Sequence, residues 1–371
     1  MPSYEQSGRR LEVSSIFDPS KLTLARQLAG LRKGELADRV EKTPATVSAW
    51  ESGSQRPSEA AIARLSLALG VGAQFFAAGS AIAKHPMPAT PHFRSLRSTS
   101  QRAQDQAYAY GRVAAEVASL LEKTVEFPAV SLQRHPVDGL RVVPGAAENA
   151  AKAVRAELGL PHGPVPHLVR LLENVGVLVV FSAPQTASID AFSFEGHERP
   201  VVVLNPEKDD YYRQRFDTAH ELGHLVMHAD SEPGGRIVED QAHRFAAEFL
   251  MPAFEIAPLL PRSTIGRGWA VFAELKEHWG VSMAALLYRA RSLGVMGDVT
   301  YRNAMMSVSQ KGWRRAEPGR VSVVEMPSLL PRAVEVLESA GISLDQVIKG
   351  PGLPRSVFST IASRTPTRAA H

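Results

Sequence analysis

Two imidazoles and one carboxylate stand close together in the run His220-Glu221-Leu222-Gly223-His224. On a helix, positions i and i+4 stack on one face about 6 Å apart along the axis, so both histidines can reach one metal ion. Glu221 then lies beside that ion. There it can take a proton from a metal-bound water, whose pKa zinc lowers from about 15.7 towards 7, and hand it to a leaving amine. This is the order of residues that hydrolysis of a peptide bond by a zinc enzyme requires.

Such chemistry needs a helix beneath it and further ligands beside it. The flanks, Arg213 to Ala219 before the run and Leu225-Val226-Met227-His228 after it, pass from polar to apolar residues and predict a helix over about 209–229. Gly223 is the poor helix former within it, costing about 1 kcal/mol relative to Ala, and points to another backbone or a substrate passing close. Two histidines leave a catalytic zinc one protein ligand short, with water in the fourth position. His228 lies roughly 12 Å beyond His220 along the axis, cannot share a metal with both others, and reads as a surface or core histidine. A second helix, Ile237 to Pro252, offers Glu239, Asp240, His243 and Glu248 as candidate ligands. Glu239 and His243 fall on one face, beside Ala242 and Ala246, which let two helices approach closely; Asp240 and Glu248 point elsewhere. Upstream, Val175 to Phe181, Ile189 to Phe194 and Pro200 to Leu204 read as strands, one of them a candidate to hold an extended substrate by backbone hydrogen bonds.

With the motif followed by a helix ending in Leu250-Met251-Pro252, the chain resembles the ImmA/IrrE metallopeptidases. The resemblance implies Zn2+ held by His220, His224 and Glu239, with Glu221 as the catalytic base. His243 stands where that family commonly has an asparagine, which implies a partner behind the ligands or a group that binds the transition-state oxyanion. Met251-Pro252 ends the helix, because proline lacks an N–H and restricts the residue before it.

Residues 20–76 follow a different logic. Leu22 to Gly30, Lys33 to Val40 and Thr43 to Gly53 read as three helices, the third capped by Thr43 with Pro44 at its first position, and Ser58 to Leu69 as a fourth. Only Glu41 and Lys42 separate the second and third, the spacing of a helix-turn-helix. Through Glu35-Leu36-Ala37, Thr46 to Gly53 and Arg56-Pro57 this stretch resembles the XRE/Cro-type helix-turn-helix family. The resemblance implies double-stranded DNA as partner and a recognition helix over 44–52. Pro44, Ala45, Thr46 and Ala49 would face bases, and Lys33, Ser48, Ser54 and Arg56 would lie near phosphates. With Pro44 and Ala49 where the family often has long polar side chains, base discrimination leans on Thr46, thymine methyl contacts and DNA shape. Trp50 shares the inner face with Val47 and belongs to the core.

Charge and composition agree with this division. Residues 1–110 carry fourteen Lys and Arg against nine Asp and Glu, a net +5, while the whole chain carries +4, so the positive charge sits at the DNA-reading end. At 371 residues, 44% apolar and 22% charged, the chain supports two or three domains of ordinary globular composition. With no cysteine, disulfides and Cys-based zinc sites are excluded, and a metal must use His and carboxylate. The first residues lack an apolar core of the signal-peptide type and no apolar run approaches 18 residues, so no membrane partner and a cytoplasmic location are expected.

The expected architecture is mainly α with a small α+β zincin-like domain. An all-α helix-turn-helix domain spans 15–80, and a proline-rich linker and connecting helix follow over 81–128. The metallopeptidase domain with a short β-sheet spans 129–260, and a helical C-terminal region spans 261–371. Within the linker, His92-Phe93-Arg94-Ser95-Leu96-Arg97 is similar to a segment that follows the DNA-binding domain in fused members of the resembled family. Phe272 to Leu293, a helix-turn-helix in outline, is expected to pack behind the zinc domain. The function expected is that of a DNA-binding transcriptional regulator with a zinc-dependent endopeptidase domain that cleaves a regulatory protein such as a repressor. The alternative is a DNA-binding sensor or scaffold whose metal domain binds a ligand or partner without catalysis. Homodimers are common for this type of DNA reader.

Overall fold

The computed structural model describes residues 13–77, 92–93, 100–160, 162–182, 191–207, 210–229, 235–319, 322–343, 347, 352–353 and 355–363. The proline-rich stretch 84–91, residues 94–97 and Ile189, each singled out above, lie outside them.

Helix starts follow the capping residues. Asp18 accepts from the Ser20 amide at 2.8 Å, with Pro19 first in α1 (Pro19–Leu28). After α2 (Lys33–Arg39), Thr43 accepts from the Thr46 amide at 3.2 Å and opens α3 (Pro44–Glu51). Ser58 opens α4 (Glu59–Leu69), which Gly70 ends in a left-handed conformation. Ser100 caps the long α5 (Gln101–Leu121). Trp50 and Val47 are buried, as their inner-face position requires.

Downstream come α6 (Ala146–Glu157), α7 (Leu168–Asn174) and a mixed sheet of β1 (His92–Phe93), β2 (Leu178–Phe181), β3 (Ala191–Glu195) and β4 (Pro200–Leu204). The strand order is β1-β3-β4-β2, with β3 antiparallel to both neighbours and β2 parallel to β4. The strand expected from Val175 begins only at Leu178. Val175 terminates α7, and Gly176 turns with φ +86° so close to Val130 that a Cβ there would stand 2.6 Å from its Cα.

The alternation of strand residues divides the core. Leu178, Val180, Phe192, Phe194, Val201 and Val203 face a cluster that continues through α5 into the helix-turn-helix interior at Leu22, Leu36, Val47 and Leu65. The same cluster takes in Leu330 and Leu337 of a late helix, Leu329–Ser339, and Phe358 and Ile361 of the last described one, Arg355–Ile361. A buried ion pair, Lys21 to Glu116 at 2.6 Å, joins α1 to α5. Val179, Phe181, Val202 and Leu204 face the second cluster, built on α6, α8 (Tyr211–Met227) and α9 (Arg236–Leu250). After a short α10 (Ala253–Ile256), that cluster also receives α11 (Gly268–Trp279), α12 (Met283–Ser292) and α13 (Asp298–Gln310). Phe272, Trp279, Met283 and Leu286 are buried there, so the second helix-turn-helix outline is packing. Arg215 pins the assembly: buried, it reaches Glu325 at 2.5 Å and the carbonyls of Pro166, Val165 and Gly280.

Candidate metal centre and DNA-reading helix

Asp210 caps α8 through the amides of Tyr212 and Arg213, and α8 then runs buried beneath β3. One turn apart on it, His220 and His224 point at each other, their Nε2 atoms 3.1 Å apart, and each is 1% exposed. From α9, Glu239 brings Oε2 to 3.2 Å from His220 Nε2 and Oε1 to 3.5 Å from His224 Nε2. Donors bound at 2.0–2.1 Å to a tetrahedral centre stand about 3.4 Å from one another, so spacings of 3.1–3.5 Å fit one such ion. Among the described residues these three are the group that could hold a metal.

The helices approach because of Gly223, and here the expectation needs correcting. The nearest neighbour is a side chain and not a backbone: a Cβ at 223 would meet the ring of Phe245 on α9 at 3.0 Å. Of the other candidate ligands, Glu248 is buried away from the site, paired with Arg289 and accepting from the Ala253 amide. Asp240 and His243 line the cleft without joining the metal group. The ring of His243 lies 4.6 Å from that of Tyr288 and 4.8 Å from that of Phe216. The cleft, about 590 Å³, is walled by Val142, His220, Arg236, Ile237, Glu239, Asp240, His243 and Tyr288. Burial pushes the Tyr288 phenol above the usual tyrosine value of 10, so it stays a hydrogen-bond donor at neutral pH.

Two partners escaped the sequence reading. Ser193 of β3 donates to the Glu221 carboxylate at 2.7 Å. His228 is a core residue whose Nδ1 meets Nδ1 of His224 at 3.1 Å and whose Nε2 meets Oε1 of Gln241 at 2.9 Å. Gln241 donates its amide to the carbonyls of Asp138 and Arg141, which leaves its oxygen facing His228. His228 Nε2 is then the donor and its Nδ1 the acceptor. His224 donates from Nδ1 and keeps its lone pair on Nε2, the atom facing His220 and Glu239. The spacing 224–228 was a signal for this ring contact, since i and i+4 are neighbours on a helix.

On the DNA-reading side, Pro44 and Ala45 are exposed at the start of α3, and Thr46, Ser48 and Ala49 are half-buried along it. The Thr46 hydroxyl lies 2.9 Å from that of Thr43. Lys33, about half exposed, is 3.3 Å from Glu51, which also takes Arg26. Ser54 donates to the Ala49 carbonyl and exposed Arg56 to that of Ser15.

Comparison with known families agrees with both halves. A helix-turn-helix family matches residues 22–76, and the family described as IrrE N-terminal-like domain, a peptidase family, matches residues 172–291. The chain is a fusion of an XRE-type helix-turn-helix with an IrrE-like metallopeptidase-type domain. No match is found among curated proteins. In this fusion no helix among the described residues is long and apolar enough to cross a membrane.

Proposed function

We propose that this fusion is a cytoplasmic transcriptional regulator that binds double-stranded DNA through α3 and cleaves a regulatory protein, such as a repressor, with a zinc-dependent endopeptidase site. The observation that carries the reading is the convergence of His220, His224 and Glu239 beside Glu221. The first three hold Zn2+, which when bound polarises the peptide carbonyl and acidifies water. Glu221 accepts a proton from the attacking water and returns it to the leaving amine. Ser193 orients that carboxylate by its hydrogen bond. His243 and Tyr288 line the cleft wall, which supports their donating to the carbonyl oxygen as negative charge develops on it. At the other end Pro44, Ala45, Thr46 and Ala49 meet base edges while Lys33, Ser48, Ser54 and Arg56 meet the backbone, with a homodimer spanning two half-sites.

The test measures zinc per chain for wild type and Glu221→Gln, then incubates each with the DNA-binding proteins encoded nearby. Both are expected to hold one zinc, and Glu221→Gln to lose about 10²–10⁴ of the cleavage rate. Cleavage that persists in the variant removes Glu221 from the reaction. Zinc without any cleavage in wild type favours a sensor that binds a partner. For the DNA side, Arg56→Ala is expected to flatten the log–log salt dependence of binding by about one unit, and an unchanged slope takes Arg56 off the phosphates.

A further inference from the structure

The proposed peptidase site, on which this inference rests, lies under β3, and β3 has one edge that β4 does not take. Its Ser193 touches the Glu221 carboxylate, so a backbone paired along that edge passes the reacting groups. In this structure the edge is occupied by the chain itself. β1 pairs antiparallel to β3 with His92 opposite Ser193 and Phe93 opposite Phe192, so it crosses at the level of Glu221. These two residues belong to the segment between the DNA-binding module and α5 that the helix-turn-helix reading left without a role.

We infer that the outer edge of β3 is the groove for an extended peptide and that β1 is a built-in competitor for it, so that a substrate enters by exchanging with His92–Phe93. Strand lengths favour exchange. Among the described residues β1 covers two positions of a five-residue strand. Each backbone hydrogen bond contributes only about 0.5–1.5 kcal/mol net. An unfolded segment of a partner protein can pair along all of Ala191–Glu195, taking affinity from main-chain bonds as other edge-binding peptides do. Apparent peptide affinity falls in proportion to the fraction of molecules whose groove is open, so about one-tenth open corresponds to an affinity lowered about tenfold.

Proline cannot donate to a ladder, and of two consecutive strand residues only one points its N–H at β3, so one of His92→Pro and Phe93→Pro weakens β1 and the other, whose N–H faces away, is its matched control; neither replaces Glu221 or a metal ligand. The full-length, zinc-loaded chain carries each change in a Glu221→Gln background for binding and in the wild-type background for cleavage, with fluorescein-labelled casein as the unstructured probe. Zinc content and circular dichroism check folding. Binding is expected to tighten about tenfold in the variant that breaks a β1 bond and cleavage to quicken in step, while amide exchange at whichever of Phe192 and Ser193 points its N–H at β1 accelerates without probe and slows on adding it, and the other, bonded to β4, stays protected. Equal affinity and unchanged exchange in both variants overturn the inference, as does a lack of probe binding even with β1 broken. If no form cleaves but affinity and exchange change as expected, the peptidase reading fails and the competitor strand stands. If cleavage depends on Glu221 yet ignores both prolines, the reverse holds.

Discussion

His228 meets His224 across 3.1 Å on one side and Gln241 across 2.9 Å on the other, a relay that fixes which nitrogen of His224 carries the lone pair. Outer partners of this kind typically alter metal affinity by about 10–100-fold. His228→Phe fills a similar volume and removes the acceptor, so zinc affinity is expected to drop by about that factor in a chelator competition while the apo fold persists. Unchanged affinity would show that the ring only packs. The five residues 220–224 were legible because i,i+4 spacing is a property of one helix. Residue spacing narrowed the candidates on the second helix to Glu239 and His243, and the family resemblance chose between them. Ser193 and Gln241 were not legible, since their contacts to 221 and 228 arise only when a strand and a second helix close on α8. Gly223 was noticed, but the Phe245 side chain that crowds it was not foreseen, for the same reason. With Phe245 3.0 Å from a Cβ at 223, Gly223→Val forces α8 and α9 apart and is expected to cost about 1–3 kcal/mol in denaturant unfolding; a smaller loss would mean the ring can rotate away.

Among the elements, the helix-turn-helix was the most legible, because capping residues mark its boundaries in sequence. Thr43 donates nothing to the core, yet its Oγ1 accepts from the Thr46 amide at 3.2 Å and lies 2.9 Å from the Thr46 hydroxyl at the start of the DNA-reading helix. Thr43→Ala is expected to reduce stability by about 1 kcal/mol. It should also weaken DNA binding beyond that, since the first turn carries Pro44, Ala45 and Thr46. A Thr43→Ser variant, which keeps the acceptor, is expected to retain both properties; equal losses in the two variants would remove the cap from the explanation. The turn before it holds a feature that spacing could not reveal. Glu41 sits at φ +53°, the left-handed region that disfavours a residue with a Cβ. The strand edges were read less well, because Val175 and Gly176 are apolar and turn-forming at once and only the approach to Val130 decides for the turn.

At the scale of the whole molecule, sequence patterns suggested domains in series, whereas the sheet is a wall shared by two cores. One of its faces continues into the DNA-binding module, and that same core is closed by helices more than two hundred residues downstream, at Leu330 and Phe358. The backbone contact Gly72 N–H to Gly352 O at 3.0 Å joins the two regions directly. Local periodicity marks Leu329–Ser339 as amphipathic but cannot say which face of the protein it covers, so its part in the fold was invisible before the structure. A shared core makes a sharp expectation about cooperativity, because a defect at one end must be felt at the other. Phe358 is 2% exposed, and Phe358→Ala is expected to cost about 3–5 kcal/mol. If the cores are coupled as described, the melting point followed by DNA binding falls with that followed by far-UV circular dichroism, although residue 358 lies far from α3 in the chain. Independent modules would behave differently: DNA binding would keep its own midpoint while only the global signal shifted, and the transition would split in two.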